Sequence, residues 1–323
     1  MTKAIRVHET GGPDVLKWED VDVPEPGAGE AMVRQTAAGL NFIDTYQRSG
    51  LYPIALPAIM GNEGAGVIEA VGDGVTEVKP GDRVAYHSAP GAYAEKRIVS
   101  SWLLAKLPDG ISDQQGASMM LKGGTAQYLL RQTYSVQPGD TIVVHAAAGG
   151  VGLITCQWAK HLGATVIGTV GSDEKAALAK AHGCDHAIVY SREDFAARVK
   201  EITDGKGVPV VYDSVGKDTF MGSLDCLQPR GLMVSFGNAS GPPDPLNVLA
   251  LSQKGSLFLT RPTLGHYTPN HAAVLKVAND LFGVVSSGAV KIEINQTYEL
   301  QDAAQAHRDL ESRKTSGSTV LTV

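Results

Sequence analysis

The plainest chemical signal in this sequence is a glycine-rich turn, which reads AAAGGVG over residues 146–152. It follows a β-branched run and precedes an apolar helical pattern, so it joins a strand to a helix within one βαβ unit. Against the pattern G-x-G-x-x-G the second and third glycines are present, and Ala147 stands at the position of the first. Backbone N–H groups and the positive end of the following helix can bind a pyrophosphate there, which favours dinucleotide binding over a merely tight helix start. The residues assigned to this role are Gly149, Gly150, Val151 and Gly152.

The end of the next strand favours NADPH over NADH. Residues 168–172 read GTVGS, and no carboxylate occurs before Asp173 to accept a hydrogen bond from a ribose 2′-hydroxyl. A 2′-phosphate instead needs cations and hydroxyls, and Ser172, Lys175 and Tyr190 stand where the second and third strands end. A solvated lysine in a first helical turn is the ordinary alternative for Lys175, so the missing acid is the stronger argument.

Two later segments follow strands that end at the same edge of such a sheet. They read DSVG at 213–216 and SFGN at 235–238. Because an open parallel sheet binds its ligand at the carboxyl ends of the strands, Ser214, Phe236 and Gly237 are predicted to line the cofactor. Gly237 would let the backbone approach closely, although a plain strand-ending turn explains it equally well.

These sites require a parallel sheet, and the middle of the sequence predicts one. From about residue 125 to 260, short apolar runs alternate with helical patterns. Six runs with five helical crossovers would complete a doubly wound Rossmann sheet. The predicted strands are 141–146, 164–169, 186–190, 208–213, 231–236 and 256–260.

The flanking residues predict a second domain. Residues 1–124 contain short alternating apolar runs broken by Gly and Pro, which is typical of a small, mostly antiparallel β-domain. After residue 260 the pattern predicts two helices and two strands, which cannot extend a filled sheet and should return to the first domain. We therefore expect a catalytic domain of residues 1–124 and 261–323, interrupted by a nucleotide-binding domain of residues 125–260.

Composition sets the class of protein. The 323 residues have a net charge of -6 and 43% hydrophobic residues, which is typical of a folded α/β protein and gives no general attraction to nucleic acid. No apolar stretch has the length of a signal peptide or a membrane span, so a cytoplasmic protein is expected. The three cysteines are far apart in sequence and form no C-x-x-C pair, which fits buried free thiols in a reducing compartment.

Several stretches across nearly the whole chain match one known family. They include GLNFIDTYQRSGLYP at 39–53, GNEGAGVIEAVGDGV at 61–75, LKGGTAQYLL at 121–130, HAAAGGVG at 145–152 and VVYDSVG at 210–216. Together they resemble the zinc-free quinone oxidoreductase, or zeta-crystallin-like, branch of the medium-chain dehydrogenases/reductases. The resemblance implies a six-stranded Rossmann sheet inserted in a mainly β, GroES-like catalytic domain, with NADPH as cofactor.

The resemblance also implies that no metal takes part. Zinc-dependent relatives place a Cys where this chain has Asn41 and a His where it has Asn62, and they add a lobe with four cysteines. Here only Asp44 and Glu63 remain, and two carboxylates do not supply the nitrogen and sulfur ligands that zinc prefers. The nine histidines are dispersed without metal-ligand spacing.

Without a metal, hydrogen bonds must polarise the substrate oxygen. In the family pattern Asn41, Tyr46 and Tyr52 would stand near the nicotinamide and supply neutral donors. A quinone suits such a site, because the hydroquinone oxygen is more acidic than an alcohol and needs a weaker general acid. The ordinary alternatives are a turn residue for Asn41 and packing aromatics for the two tyrosines.

Three more residues enter through the resemblance alone. Thr125 matches a position close to the nicotinamide, with a helix N-cap as its alternative. Arg261 and Arg313 match positions near the cofactor phosphates, although an arginine is more commonly a surface residue.

The expected function is NADPH-dependent hydride transfer to a quinone bound in the cleft between the domains. One alternative is reduction of the C=C bond of alkenals or enones, which needs protonation at carbon. Another is a structural or RNA-binding protein of crystallin type that keeps NADPH for stability, although an acidic chain without a basic, aromatic-interleaved stretch gives it little support.

The last predicted strand suggests an assembly. Residues 256–260 read SLFLT and would form an exposed apolar edge of the Rossmann sheet unless they pair with a partner. We therefore expect a homodimer.

Overall fold

A computed structural model describes all of residues 1–323, and the chain divides into two compact units. The first unit is Met1–Gly124, Tyr267–Ser286 and Ile292–Val323, and the second is Thr125–His266 and Ser287–Lys291. None of the helices is long and apolar enough to cross a membrane.

The helices and strands follow one another in three stretches. The first contains β1 (Thr2–Val7), β2 (Lys17–Val21), β3 (Glu30–Leu40), α1 (Phe42–Ser49), β4 (Ala58–Ile59), β5 (Glu63–Val71), β6 (Arg83–His87), β7 (Lys96–Ser100), β8 (Ala105–Lys106) and α2 (Asp113–Tyr128). The second contains β9 (Thr141–Val144), α3 (Gly150–His161), β10 (Thr165–Val170), α4 (Asp173–Ala181), β11 (His186–Val189), α5 (Phe195–Ile202), β12 (Val208–Asp213), α6 (Phe220–Asp225), β13 (Leu227–Ser235), α7 (Leu249–Gln253), β14 (Phe258–Thr260) and α8 (Leu264–Tyr267). The third contains α9 (His271–Ser286), β15 (Ile294–Glu299), α10 (Ala303–Glu311) and β16 (Ser318–Thr322).

The first unit is built on a seven-stranded sheet. Its path is β15-β16-β3-β5-β6-β8, and β7 pairs with β3 outside this path. All of these pairings are antiparallel except β15 with β16. A smaller antiparallel sheet has the order β2-β1-β4. The apolar core between them includes Ile5, Val33, Ile68 and Leu321, which come from both ends of the chain.

The second unit contains a six-stranded sheet in the order β11-β10-β9-β12-β13-β14, and every pairing in it is parallel. The strand order reverses at β9, where the crevice of a doubly wound sheet opens at the carboxyl ends of the strands. The prediction that the chain contains a six-stranded Rossmann sheet and a mainly β domain is confirmed. Strand β14 is shorter than predicted because Ser256 takes a positive φ of 55° in the preceding turn.

The division of the chain differs from the predicted 260/261 boundary. Residues 261–266 stay with the Rossmann unit, and the short segment Ser287–Lys291 comes back to it. The amide group of Gln157 holds this segment: Lys291 N donates to Gln157 Oε1 at 2.9 Å, and Gln157 Nε2 donates to Lys291 O at 3.0 Å.

Candidate active site

In the Rossmann unit, the glycine-rich turn connects β9 to α3. Gly149 is the N-cap of α3, and because it has no side chain, no capping group covers the N–H groups of the first helical turn. A Cβ placed on Gly152 would lie 2.2 Å from Ala146 O, so only glycine fits there. Ala147, at the position of the first glycine, is buried, and its N–H donates to Thr169 O at 3.0 Å. The turn therefore presents the backbone N–H groups of Gly150 and Val151 at a helix N-terminus, where an anion binds favourably.

A buried polar chain that sequence reasoning missed supports this turn. His145 Nδ1 lies 2.7 Å from Thr169 Oγ1, and its Nε2 lies 2.9 Å from Ser223 Oγ. Ser223 Oγ donates its hydrogen to Asp213 Oδ2 at 2.8 Å, so it must accept a hydrogen bond from His145 Nε2–H. His145 Nδ1 is then unprotonated and accepts a hydrogen bond from the Thr169 hydroxyl. Burial lowers the pKa of His145 and keeps it neutral. These hydrogen bonds connect the carboxyl ends of β9, β10 and β12 to α6.

The carboxyl ends of β10 and β11 form the predicted 2′-phosphate corner. Ser172 is the N-cap of α4, and its Oγ accepts from Lys175 N at 3.3 Å. Tyr190 is 40% exposed, and its hydroxyl would lie 3.0 Å from a Cβ on Gly171. Ser172, Lys175 and Tyr190 thus come together at one edge of the sheet. Asp173 is also present there, and Arg192 binds its carboxylate with both terminal nitrogens at 2.6 and 2.8 Å.

The carboxyl ends of β12 and β13 meet beside this edge. Gly237 packs against Ser214, since a Cβ on Gly237 would lie 2.4 Å from Ser214 O. Phe236 is half-buried, and its N–H donates to Asp213 O at 2.7 Å. Arg261 is exposed, and its Nη1 donates to Gly237 O at 3.5 Å. Ser214, Phe236, Gly237 and Arg261 therefore form one continuous surface.

Thr125 and Arg313 are placed separately. Thr125 is buried in the interior of α2, so the alternative that it caps a helix is wrong. Arg313 belongs to the first unit, where it is exposed in the turn after α10 with a φ of 60°.

In the first unit, Asn41 is the N-cap of α1 and lies in a buried polar cluster. Its Nδ2 donates to Glu63 Oε2 at 2.8 Å and to Gly39 O at 3.3 Å, so both amide hydrogens have acceptors within the unit. Glu63 is fully buried and also accepts from Lys122 Nζ at 3.1 Å and from Leu121 N at 2.8 Å. Asn41 is therefore held in place by a buried ion pair, which leaves no amide hydrogen for a substrate.

Asp44 fixes the same end of α1. Its Oδ2 accepts from Asn41 N at 2.8 Å and from the Tyr93 hydroxyl at 2.9 Å, and its Oδ1 accepts from Asn62 Nδ2 at 2.7 Å. Burial is the largest effect on this carboxyl and raises its pKa from 3.8 to about 6, although Asn62, Asn41 and Tyr93 favour the carboxylate.

A second series of buried hydrogen bonds connects Arg48 through His307 to the Tyr93 hydroxyl. Arg48 is 2% exposed, pairs with Glu311 at 2.6 Å, and places Nη1 3.0 Å from His307 Nδ1. Arginine only donates, so His307 Nδ1 accepts and its Nε2–H points to the Tyr93 hydroxyl, 3.4 Å away. Burial, followed by the Arg48 charge, lowers the pKa of His307 to about 3.

Tyr46 and Tyr52 form an aromatic pair beside this cluster. Their ring centroids lie 5.2 Å apart at an interplanar angle of 62°, and Tyr52 N donates to Tyr46 O at 3.0 Å. Tyr46 is buried on α1 and Tyr52 is half-buried after it. Because Asn41 and Asp44 fix the start of α1, they also fix the position of Tyr46.

The residues at the positions of zinc ligands in zinc-dependent relatives are thus amides and carboxylates engaged with one another. The structure contains no group of three or more His, Cys, Asp or Glu side chains arranged to hold a metal ion.

Two family models match the chain in agreement with this architecture. One, described as an alcohol dehydrogenase GroES-like domain, matches residues 27–132. The other, described as a zinc-binding dehydrogenase, matches residues 150–271. The fold is that of a medium-chain dehydrogenase/reductase.

Individual relatives show to which branch of this family the chain is similar. A quinone oxidoreductase of Pseudomonas aeruginosa is 57% identical, with 99% of each chain covered. A 2-haloacrylate reductase of a Burkholderia species is 48% identical, again with 99% of each chain covered. The crystal structure of Escherichia coli quinone oxidoreductase complexed with NADPH superposes with a TM-score of 0.98 at 49% identity, covering 99% of this chain and 100% of that one. The chain belongs to the quinone oxidoreductases of the medium-chain dehydrogenase/reductase family.

Proposed function

We propose that this protein is an NADPH-dependent quinone reductase that works without zinc. The observation that carries the proposal is the carboxyl edge of the Rossmann sheet. There an uncapped glycine-rich helix start lies beside a strand end whose nearest acid, Asp173, is already bound by Arg192. The full-length similarity to quinone oxidoreductases supports a quinone as the substrate.

The residues of the Rossmann unit fit NADPH. Because Gly149 supplies no side-chain cap, the first turn of α3 is open to a pyrophosphate, which Gly149, Gly150, Val151 and Gly152 would contact. The absence of a side chain at Gly152 lets the helix start pack against the backbone of Ala146. At the corner of β10 and β11, Ser172, Lys175 and Tyr190 would hold the 2′-phosphate. Further contacts are assigned to the residues that line the rest of the edge and to Thr125 and Arg261, which the resemblance matched: Thr125, Ser214, Phe236, Gly237 and Arg261. Arg313, which was also matched by resemblance, lies in the first unit. When bound, the nicotinamide supplies the hydride.

The first unit would orient the quinone. We assign donation to the quinone oxygen to the hydroxyls of Tyr46 and Tyr52, which would stabilise the negative charge that develops on that oxygen. Asn41 takes a different part from the one first expected, because both of its amide hydrogens are engaged with Glu63 and Gly39. It positions α1, and with it Tyr46.

A substrate panel tests this function. NADPH oxidation is followed with a series of para- and ortho-quinones and a parallel series of enals and enones, with NADH and with a metal chelator as separate arms. We expect turnover of quinones with NADPH that the chelator does not change. Tight NADPH binding without turnover of any compound would instead support a non-enzymatic role.

A second candidate, reduction of an activated C=C bond, is favoured by one observation. The Burkholderia relative is named a 2-haloacrylate reductase and is 48% identical over essentially the whole chain. In the panel this activity would appear as turnover of 2-haloacrylate or enones faster than any quinone, with a saturated product identified by mass spectrometry.

We also propose a homodimer that forms through β14. Phe258 is 57% and Leu259 is 38% exposed on this edge strand, and exposed apolar edges commonly pair with another strand. Light scattering should give twice the chain mass, and Phe258→Lys with Leu259→Lys should give a monomer. A monomeric mass for the unchanged protein would rule the dimer out. A cytoplasmic location stays a prediction, with which three free, buried cysteines are compatible.

A further inference from the structure

The 2′-phosphate corner contains two carboxylates, of which the sequence argument named only Asp173. Asp173 and Glu174 form the first turn of α4, directly after Ser172. Hydrogen bonding and charge from Arg192 lower the pKa of Asp173, and a hydrogen bond from Ser172 lowers the pKa of Glu174, so both are ionised near neutral pH. A phosphate dianion placed at Ser172 would meet two negative charges.

Two cations offset them. Lys175 lies in the first turn of α4, and Arg192 comes from the neighbouring strand end, two residues beyond Tyr190. The Tyr190 N–H donates to Val170 O at 3.1 Å, which brings the two strand ends side by side. With Arg192 the four charged groups sum to zero, and without it the corner carries a net negative charge.

The geometry of Arg192 is specific to Asp173. Its Nη2 and Nη1 donate to Asp173 Oδ1 and Oδ2 at 2.6 and 2.8 Å, the paired arrangement in which a guanidinium binds a carboxylate most strongly. Both Asp173 oxygens therefore point to Arg192, and this engages the acceptor atoms that a ribose 2′-hydroxyl would use.

We propose that Arg192 determines cofactor specificity by neutralising and engaging Asp173. This inference rests on the proposed use of NADPH and adds a residue to it. Arg192 offsets the repulsion of a 2′-phosphate by Asp173 and competes with the 2′-hydroxyl of NADH for the carboxylate oxygens of Asp173. The pair thus allows an acid to occupy the start of α4, where the helix dipole favours it, without changing the preference to NADH.

Calorimetric titration tests the inference without any turnover. The probes are adenosine 2′,5′-bisphosphate, which carries the 2′-phosphate, and adenosine 5′-monophosphate, which lacks it. At low ionic strength Arg192→Gln should bind the bisphosphate about tenfold more weakly, as one uncompensated nearby charge requires, with the monophosphate unchanged or tighter. Asp173→Asn combined with Arg192→Gln should bring bisphosphate affinity back to within about threefold of the unchanged protein.

A matched control removes a positive charge elsewhere in the same unit. Lys160 lies in the last turn of α3, away from the glycine-rich turn, and pairs with Asp185 at 2.5 Å. Lys160→Gln should leave both affinities unchanged. Kinetic constants for NADPH and NADH, measured in parallel, should show that Arg192→Gln prefers NADPH over NADH less strongly than the unchanged protein does.

Each other outcome has a definite meaning. Unchanged bisphosphate affinity in Arg192→Gln overturns the inference. Equally weak binding by the single and double variants also overturns it, because Arg192 would then contact the phosphate itself. If the unchanged protein does not prefer the bisphosphate over the monophosphate, the proposed use of NADPH fails, and this inference fails with it.

Discussion

Replacing Asp44 by Asn should change how the stability of this protein depends on pH. Burial raises the pKa of this carboxyl from 3.8 to about 6, so the folded chain binds its proton more tightly than the unfolded chain does. The hydrogen bonds from Asn41, Asn62 and Tyr93 reduce this effect without cancelling it.

The sign and size follow from proton linkage. A folded-state pKa that is raised adds stability that is complete below pH 3.8 and is lost as the pH rises through about 6. A shift of about two pKa units corresponds to about 3 kcal/mol. The free energy of unfolding of the unchanged protein, minus that of Asp44→Asn, should therefore increase by up to about 3 kcal/mol from pH about 7 to pH about 4.

The assay is denaturant unfolding of both proteins at a series of pH values. Taking the difference removes titrations that the two proteins share, including that of His307. Tyr93→Phe supplies a second check, because it removes a hydrogen bond that favours the carboxylate and should move the transition to higher pH. A difference that is flat between these pH values, or that decreases on acidification, would refute the reasoning.

Three further changes should have separable effects. Gly152→Ala should abolish NADPH binding and destabilise the Rossmann unit by about 1–3 kcal/mol, because its Cβ would lie 2.2 Å from Ala146 O; thermal unfolding with and without NADPH measures both. Lys122→Met should lower the free energy of unfolding by about 3–5 kcal/mol by leaving Glu63 buried and unpaired, and adding Glu63→Gln should recover most of the loss in chemical denaturation. Tyr52→Phe should lower kcat/KM for quinones about tenfold with KM for NADPH unchanged in steady-state assays.

The changes at Gly152 and Tyr52 each have a control in the chain. Gly265→Ala adds a methyl group where nothing lies within 4 Å, so it should leave NADPH binding intact. Tyr298→Phe removes a hydroxyl that donates to Asp309 at 2.9 Å, so it should leave kcat/KM unchanged. NADPH binding by Gly152→Ala, equal losses for the Lys122 single and double variants, or full quinone turnover by Tyr52→Phe would contradict the respective argument.

The Rossmann half of the fold follows from local sequence. β-Branched runs, a glycine-rich turn and helical spacing recur in an order that only a doubly wound sheet satisfies, and the cofactor edge follows from that topology. The return of Ser287–Lys291 to the Rossmann unit could not be predicted from local sequence, because this segment is held by its contact with Gln157, more than a hundred positions earlier.

The polar cluster of the first unit could not be foreseen in the same way. Lys122, Tyr93 and His307 are distant in sequence, and residues of these types are commonly exposed or only partly buried. Their partners become evident only when α1, α2 and α10 are packed together. Asn41 was predicted to donate to the substrate, but its amide donates to Glu63, a partner that sequence spacing does not reveal.

We expect this protein to transfer reducing equivalents from NADPH to a quinone. The most direct measurement is the amount of hydroquinone formed per NADPH consumed, determined by chromatography under anaerobic conditions with the purified protein and a simple para-quinone. We expect equal amounts of the two, formed at a rate that falls in Tyr52→Phe. NADPH that remains unconsumed, or that is consumed without hydroquinone appearing, would contradict the account.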